Sequence, residues 1–184
     1  MGGYGALKCA LARPERYALC GAFSSCCLLL REGLEDARRN GMDGWGAQMP
    51  RDFAAIFGDD LAWTPQNDLL ALAKLAQAAG AALPRLYLTC GRQDGFYPDH
   101  LRFLQALSDL GVQAEFETWD GVHDFPYFNE ALRRTIARFA LLEGTKAQSP
   151  RAVRIRTALG HYFFVGCRRS AGNCTRDMEQ SGPH

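Results

Sequence analysis

Two short segments hold the residue types best suited to acid–base chemistry. An apolar run ending at Cys90 is followed by Gly-Arg-Gln-Asp-Gly-Phe-Tyr-Pro-Asp-His, which sets Asp94 just beyond a strand-like stretch. A second run, ending at Trp119, is followed by Asp-Gly-Val-His-Asp-Phe-Pro-Tyr-Phe, and His123 takes the equivalent place. A carboxylate bonded to an imidazole fixes its tautomer and stabilises the imidazolium formed when it takes a nucleophile's proton. The pair alone leaves plainer readings open, because loop aspartates commonly shape turns and many loop histidines have no chemical task. Ser24 and Ser25 end an earlier apolar run and offer hydroxyls, but neither stands in a G-x-S-x-G context. Phe96, Tyr97, Trp119 and Tyr127 flank the two segments, where they line a pocket or, as is more usual for such residues, pack in the core. Asp99, next to Pro98, reads as a helix-start residue, and Asp124 as a solvated loop residue.

Elements of alternating type must position these residues. Residues 2–11 form a glycine-rich helix start followed by good helix formers and a stop at Pro14. The stretch from Tyr17 is a short buried strand ending in small residues. Residues 31–63 hold short helices, including one near 52–57. Asn67 is placed as the cap of a helix that closes on Gly80. The run from Arg85, bounded by Pro84 and Gly91, is a strand. The next helix sets Leu101, Leu104 and Leu107 in register, and a strand through Trp119 leads to a final helix with an irregular start. Strands and helices in this order predict a mainly parallel sheet flanked by crossover helices, whose ligands bind beyond the carboxyl ends of the strands. Asp94 and His123 both belong at that edge.

Bulk properties exclude several classes. The 184 residues carry a net charge of +1, 47% are hydrophobic and 22% charged, so no global charge draws the chain to nucleic acid or a membrane surface. No apolar run approaches the ~18 residues of a membrane span. No signal-peptide pattern, G-x-G-x-x-G run or P-loop is present. The seven cysteines are odd in number and irregularly spaced, with no zinc-ligand pattern, and read as free thiols of a reducing cytoplasm, Cys26–Cys27 being the least comfortable pair.

The opening Met-Gly-Gly-Tyr-Gly-Ala-Leu-Lys-Cys-Ala-Leu resembles the segment after the nucleophile in a G-x-S-M-G-G-Y-G-A-L elbow. That elbow marks an α/β-hydrolase family that includes esterase D, S-formylglutathione hydrolases and tributyrin or acetyl esterases. Phe57-Gly58-Asp59 and Asn67-Asp68-Leu69 fall at corresponding points, and the stretch over residues 57–75 is most similar to the tributyrin and acetyl esterases. The Asp94 segment resembles the family's acid motif, and the His123 segment its G-G-H-D/E-W motif, with Val122 in place of a glycine and Phe125 in place of the tryptophan. The resemblance covers residues 1–144 and implies a serine carboxylesterase acting on short acyl esters through an acyl-serine intermediate. Such an enzyme has His123 as general base, Asp94 orienting it, an oxyanion-hole N–H from the Met1 position, and neither metal nor organic cofactor.

The matching serine precedes Met1. The resemblance therefore implies the C-terminal part of an α/β-hydrolase fold, incomplete: inactive alone because the nucleophile and part of the oxyanion hole are missing, and poorly soluble or only partly folded because the strand from Tyr17 keeps a bare edge. The expected partner is a small-molecule ester, with no nucleic acid or membrane; the expected location is the cytoplasm. A thioesterase of the S-formylglutathione hydrolase type, or a noncatalytic protein keeping the architecture, stands as the alternative. Residues 145–184 have no counterpart in the resemblance. They read as a basic tail, either disordered or from an altered reading frame, with a stray strand over residues 158–167 and an incidental His161.

Overall fold

The computed structural model of the protein describes residues 1–44, 46–143, 152–156 and 162–167. Three apolar runs become strands β1 (Tyr17–Phe23), β2 (Arg85–Thr89) and β3 (Ala114–Glu117). They pair in parallel in the order β3-β2-β1, with Leu19 opposite Arg85 and Leu86 opposite Ala114. The helices are α1 (Gly2–Ala12), α2 (Leu30–Asn40), α3 (Gln48–Phe57), α4 (Leu69–Ala78), α5 (Tyr97–Asp109) and α6 (Phe125–Glu143). The chain thus runs from β1 through α2, α3 and α4 to β2, then through α5 to β3.

Alternation along the strands assigns their two faces. Cys20, Ala22, Leu86 and Leu88 look towards α1, α4 and α5, where Leu7, Leu11, Leu69, Phe103 and Leu107 complete the main core. Leu19, Phe23 and Tyr87 look the other way and meet Tyr127, Ala131 and Phe139 of α6. Helices α2 and α3 hold a separate cluster of Leu30, Leu34, Phe53 and Phe57.

Four expectations are corrected. Asp68, not Asn67, caps α4: it is extended (φ −95°) and its Oδ1 accepts from the Ala71 N–H at 2.9 Å. Asn67 instead accepts from Lys8 Nζ through its side chain and from the Tyr4 hydroxyl through its carbonyl, tying the turn to α1. Helix α5 buries His100, Phe103 and Leu107 and leaves Leu101 46% exposed. Burying the larger phenylalanine on that stripe outweighs leaving Leu101 out, since a buried side chain of this size contributes roughly 1.5–3 kcal/mol. Helix α6 is regular from Phe125, because Asp124 Oδ1 accepts from the Tyr127 N–H at 2.9 Å and caps it.

The fourth correction concerns the edge of β1. Strands β4 (Ala152–Arg156) and β5 (Tyr162–Cys167) form an antiparallel pair, and β5 lies antiparallel beside β1. The sheet order is therefore β3-β2-β1-β5-β4, and the strand from Tyr17 has a hydrogen-bonded neighbour on each side. The remainder of the basic tail, including His161, lies outside the described residues.

Candidate active site

The two chemistry-bearing loops continue the pairing of the strands that deliver them. Beyond β2 and β3, Thr118 Oγ1 donates to the Cys90 carbonyl (2.8 Å), the Arg92 N–H to the Trp119 carbonyl (3.0 Å) and the Gln93 N–H to the Gly121 carbonyl (3.1 Å). Gln93 Oε1 returns the contact by accepting from the Gly121 N–H at 2.7 Å. So close an approach needs glycine, since a Cβ at Gly91 would stand 2.2 Å from the Gly121 carbonyl oxygen. Outside, Arg92 pairs with Asp120 at 3.0 Å, and this hydrogen bond holds the exposed Asp120 carboxyl below its usual range.

This lacing brings Asp94 Oδ2 to 3.0 Å from His123 Nδ1. Asp94 is 4% exposed, and its other oxygen accepts from the Phe96 N–H at 2.9 Å, so both oxygens are held. The His123 ring stands between two aromatic edges, Phe96 at 5.3 Å and Phe128 at 5.0 Å between ring centres. With Nδ1–H donating to the carboxylate, Nε2 is the nitrogen left to accept a proton.

His123 borders a small cleft of about 20 Å³ together with Met1, Gly2, Gly3, Phe23, Ser24 and Phe128. Met1 is the N-cap residue of α1, and the positive end of the helix dipole therefore lies beside the imidazole. Gly3 lets the helix start abut the end of β1, because a Cβ there would fall 1.9 Å from Ser25 Oγ. A proton acceptor beside a helix N-terminus suits a reaction in which a nucleophile loses a proton and an oxygen gains negative charge.

The other sequence candidates separate clearly. Ser24 and Ser25 are 2% and 1% exposed, and neither hydroxyl is bonded to His123 among the described residues. Trp119 stacks on the buried Tyr127 at 4.5 Å, and the Arg134 guanidinium lies over the Trp119 ring at 4.2 Å, so both rings are packing residues. Tyr97 leans on Phe116, and Phe96 alone of the four aromatic candidates touches His123. Asp99 sits inside the first turn of α5, three residues past the Phe96 N-cap, and pairs with Arg102 at 3.5 Å. Cys9, Cys20, Cys26, Cys27 and Cys90 are all free thiols. Burial pushes the Cys20 and Cys90 thiols up to about 12. Among the described residues no group of three or more His, Cys, Asp and Glu side chains is placed to hold a metal, and no helix is long and apolar enough to cross a membrane.

Sequence reasoning missed Phe128 and His100. The buried His100 receives the Ser25 N–H at Nε2 (3.2 Å) and faces the Phe96 carbonyl with Nδ1 (2.9 Å), joining the end of β1 to the start of α5. The i+4 spacing from Phe96 to His100 was the available signal, but the Ser25 partner is distant in sequence.

Known proteins resemble the chain over most of its length. The family model described as "Putative esterase" matches residues 1–139. An acetyl esterase of Caldicellulosiruptor saccharolyticus is 26% identical over 133 residues, covering 71% of this chain and 48% of the relative. An S-formylglutathione hydrolase of Staphylococcus aureus, solved as the apoenzyme, is 28% identical with a TM-score of 0.59, covering 75% of this chain and 50% of its own. FphF, a fluorophosphonate-binding serine hydrolase of Staphylococcus aureus solved with substrate bound, gives the same identity and TM-score over 74% of this chain and 49% of its own. The chain thus spans about half the length of the relatives it matches. Its parallel strands and flanking helices form part of an α/β-hydrolase fold. On the match across residues 1–139, the chain belongs to this esterase family.

Proposed function

We propose that Asp94 and His123 are the acid and base of a serine carboxylesterase that hydrolyses short acyl esters through an acyl-serine intermediate. The observation that carries the reading is the buried Asp94 carboxylate held 3.0 Å from His123 Nδ1, with the imidazole bordering the start of α1. In the family's elbow the serine directly precedes the residue matching Met1. In a polypeptide carrying that serine, His123 Nε2 takes the hydroxyl proton as the oxygen attacks the acyl carbon. The imidazolium, stabilised by Asp94, then returns the proton to the departing alcohol, and a water repeats the cycle in reverse order to release the acid. The N–H at the Met1 position contributes one oxyanion donor, at the positive end of α1.

The test is made on the reading frame upstream of Met1 and on the polypeptide that it encodes. A G-x-S coding run in frame, with fluorophosphonate labelling of that serine and p-nitrophenyl acetate turnover lost in His123→Ala, is the expected result. A frame without the serine, or turnover indifferent to His123→Ala, overturns the proposal. A thioester substrate is the second reading, favoured by the match to an S-formylglutathione hydrolase. It requires kcat/KM for an acyl glutathione to exceed that for the matching oxygen ester.

A further inference from the structure

Three sulfur atoms meet at one point beside the start of α1. Cys26 Sγ lies 3.3 Å from Met1 Sδ and Cys27 Sγ 3.9 Å from it. Consecutive side chains in extended backbone point to opposite sides, so this convergence needs a local distortion. It is present: Cys27 adopts φ +57° and, three residues before it, Ser24 adopts φ +42°. Left-handed backbone at a side chain other than glycine is strained and persists only where the surroundings enforce it. Here it turns both thiols towards one thioether. Both cysteines are half-buried and line an open cleft of about 490 Å³ whose wall includes Leu30, Phe53, Phe96 and Arg102, so a small solute reaches them from solvent.

Two thiolates and a thioether form a soft donor set without nitrogen or oxygen. Zinc prefers four ligands drawn from cysteine, histidine and carboxylate, whereas a closed-shell monovalent ion accepts three sulfurs in a plane. From this convergence we propose that Cys26, Cys27 and the Met1 thioether form a binding site for a soft monovalent d10 cation, Cu(I) being the ion that fits. Binding displaces two protons, one from each thiol. The complex of one Cu(I) with two thiolates and one neutral thioether carries a single negative charge, and no electron is transferred. Because the site joins the N-cap of α1 to the β1–α2 loop, occupancy also stabilises the folded chain by mass action.

The experiment is an anaerobic titration of the full chain with Cu(I) in competition with bathocuproine disulfonate. The expected result is one tightly held Cu(I) per chain, and a rise in Tm on loading. Cys26→Ser or Cys27→Ser weakens binding by more than the roughly 10–100-fold typical of losing an outer-shell partner. Cys9→Ser and the Cys167→Ser/Cys174→Ser pair leave it unchanged. Equal Tm values for the metal-free variants and the metal-free parent separate loss of ligand from loss of fold. X-ray absorption is expected to report three sulfur neighbours. Retention of Cu(I) by the Cys26→Ser/Cys27→Ser chain, dependence on Cys167 and Cys174, or a two-sulfur shell overturns the site as proposed.

Discussion

Asp94 uses both carboxylate oxygens, one on the Phe96 N–H and one on His123, and this division makes its substitution informative. In Asp94→Asn the amide oxygen still accepts from Phe96, and the NH2 group turns to His123. The imidazole must then accept at Nδ1 and carry its proton on Nε2, the tautomer that cannot act as base. Nitrogen chemical shifts of neutral His123 are expected to show this exchange of tautomers. In a serine-bearing polypeptide the same change lowers kcat by about 10⁴-fold, the loss that the wrong tautomer causes in the reference serine-protease triad. His100 makes a different prediction. Desolvation holds its pKa below the usual 6.5, against smaller opposing contributions from the Phe96 carbonyl, Asp94 and Asp99. The unfolded chain therefore binds a proton that the folded chain refuses. The stability associated with neutral His100 is intact above pH 6.5 and is lost as the pH falls below it. Tm measured from pH 8 to pH 5 should fall more for the parent chain than for His100→Gln, which keeps a neutral acceptor near the Ser25 N–H.

At the level of elements, helix ends and strand extensions decide the geometry more than helix interiors do. The cap of α4 is an example. Asp68 accepts from the Ala71 N–H with one oxygen and from the Trp63 indole with the other at 2.7 Å, so it fixes both the start of the helix and the chain leading to it. Asp68→Ala is expected to cost roughly 2 kcal/mol, about 1 for the lost cap and a similar amount for the indole N–H left without its acceptor. Urea denaturation reads this as a lower midpoint, with a larger shift than Asn67→Ala produces. Equal shifts would return the cap to Asn67. The final helix shows the same principle: Asp124, adjoining His123, caps α6 and so anchors the histidine loop to a helix packed across β1.

For the whole molecule, the sheet joins segments far apart in the chain. Strand β5 covers the edge of β1 that the first 144 residues leave open, and β4 in turn covers β5. A chain ending at Glu143 exposes the β1 edge, which is a template for association. Light scattering is expected to show that it aggregates at concentrations where the full chain does not; equal behaviour would mean that β5 does not protect that edge. The order of strands and helices, their parallel pairing and the placing of Asp94 and His123 at one sheet edge were legible in the sequence. Apolar runs, proline and glycine boundaries and helical periodicity are local signals, and crossover connections leave few ways to arrange them. The family was legible too, from the glycine-rich opening and the two loop motifs. The cap at Asp68, the His100 bridge to Ser25, the Phe96 and Phe128 edges on His123, the antiparallel neighbour of β1 and the meeting of Met1 with Cys26 and Cys27 were not. Most of these join residues distant in the chain, and the cap turns on whether residue 67 or 68 is extended. Up to residue 143 the sequence alone determined which elements form and which residues they carry to the rim, whereas β4 was not legible in it. Only the tertiary structure decided which partners they meet, because that depends on side-chain packing between segments that no local pattern connects.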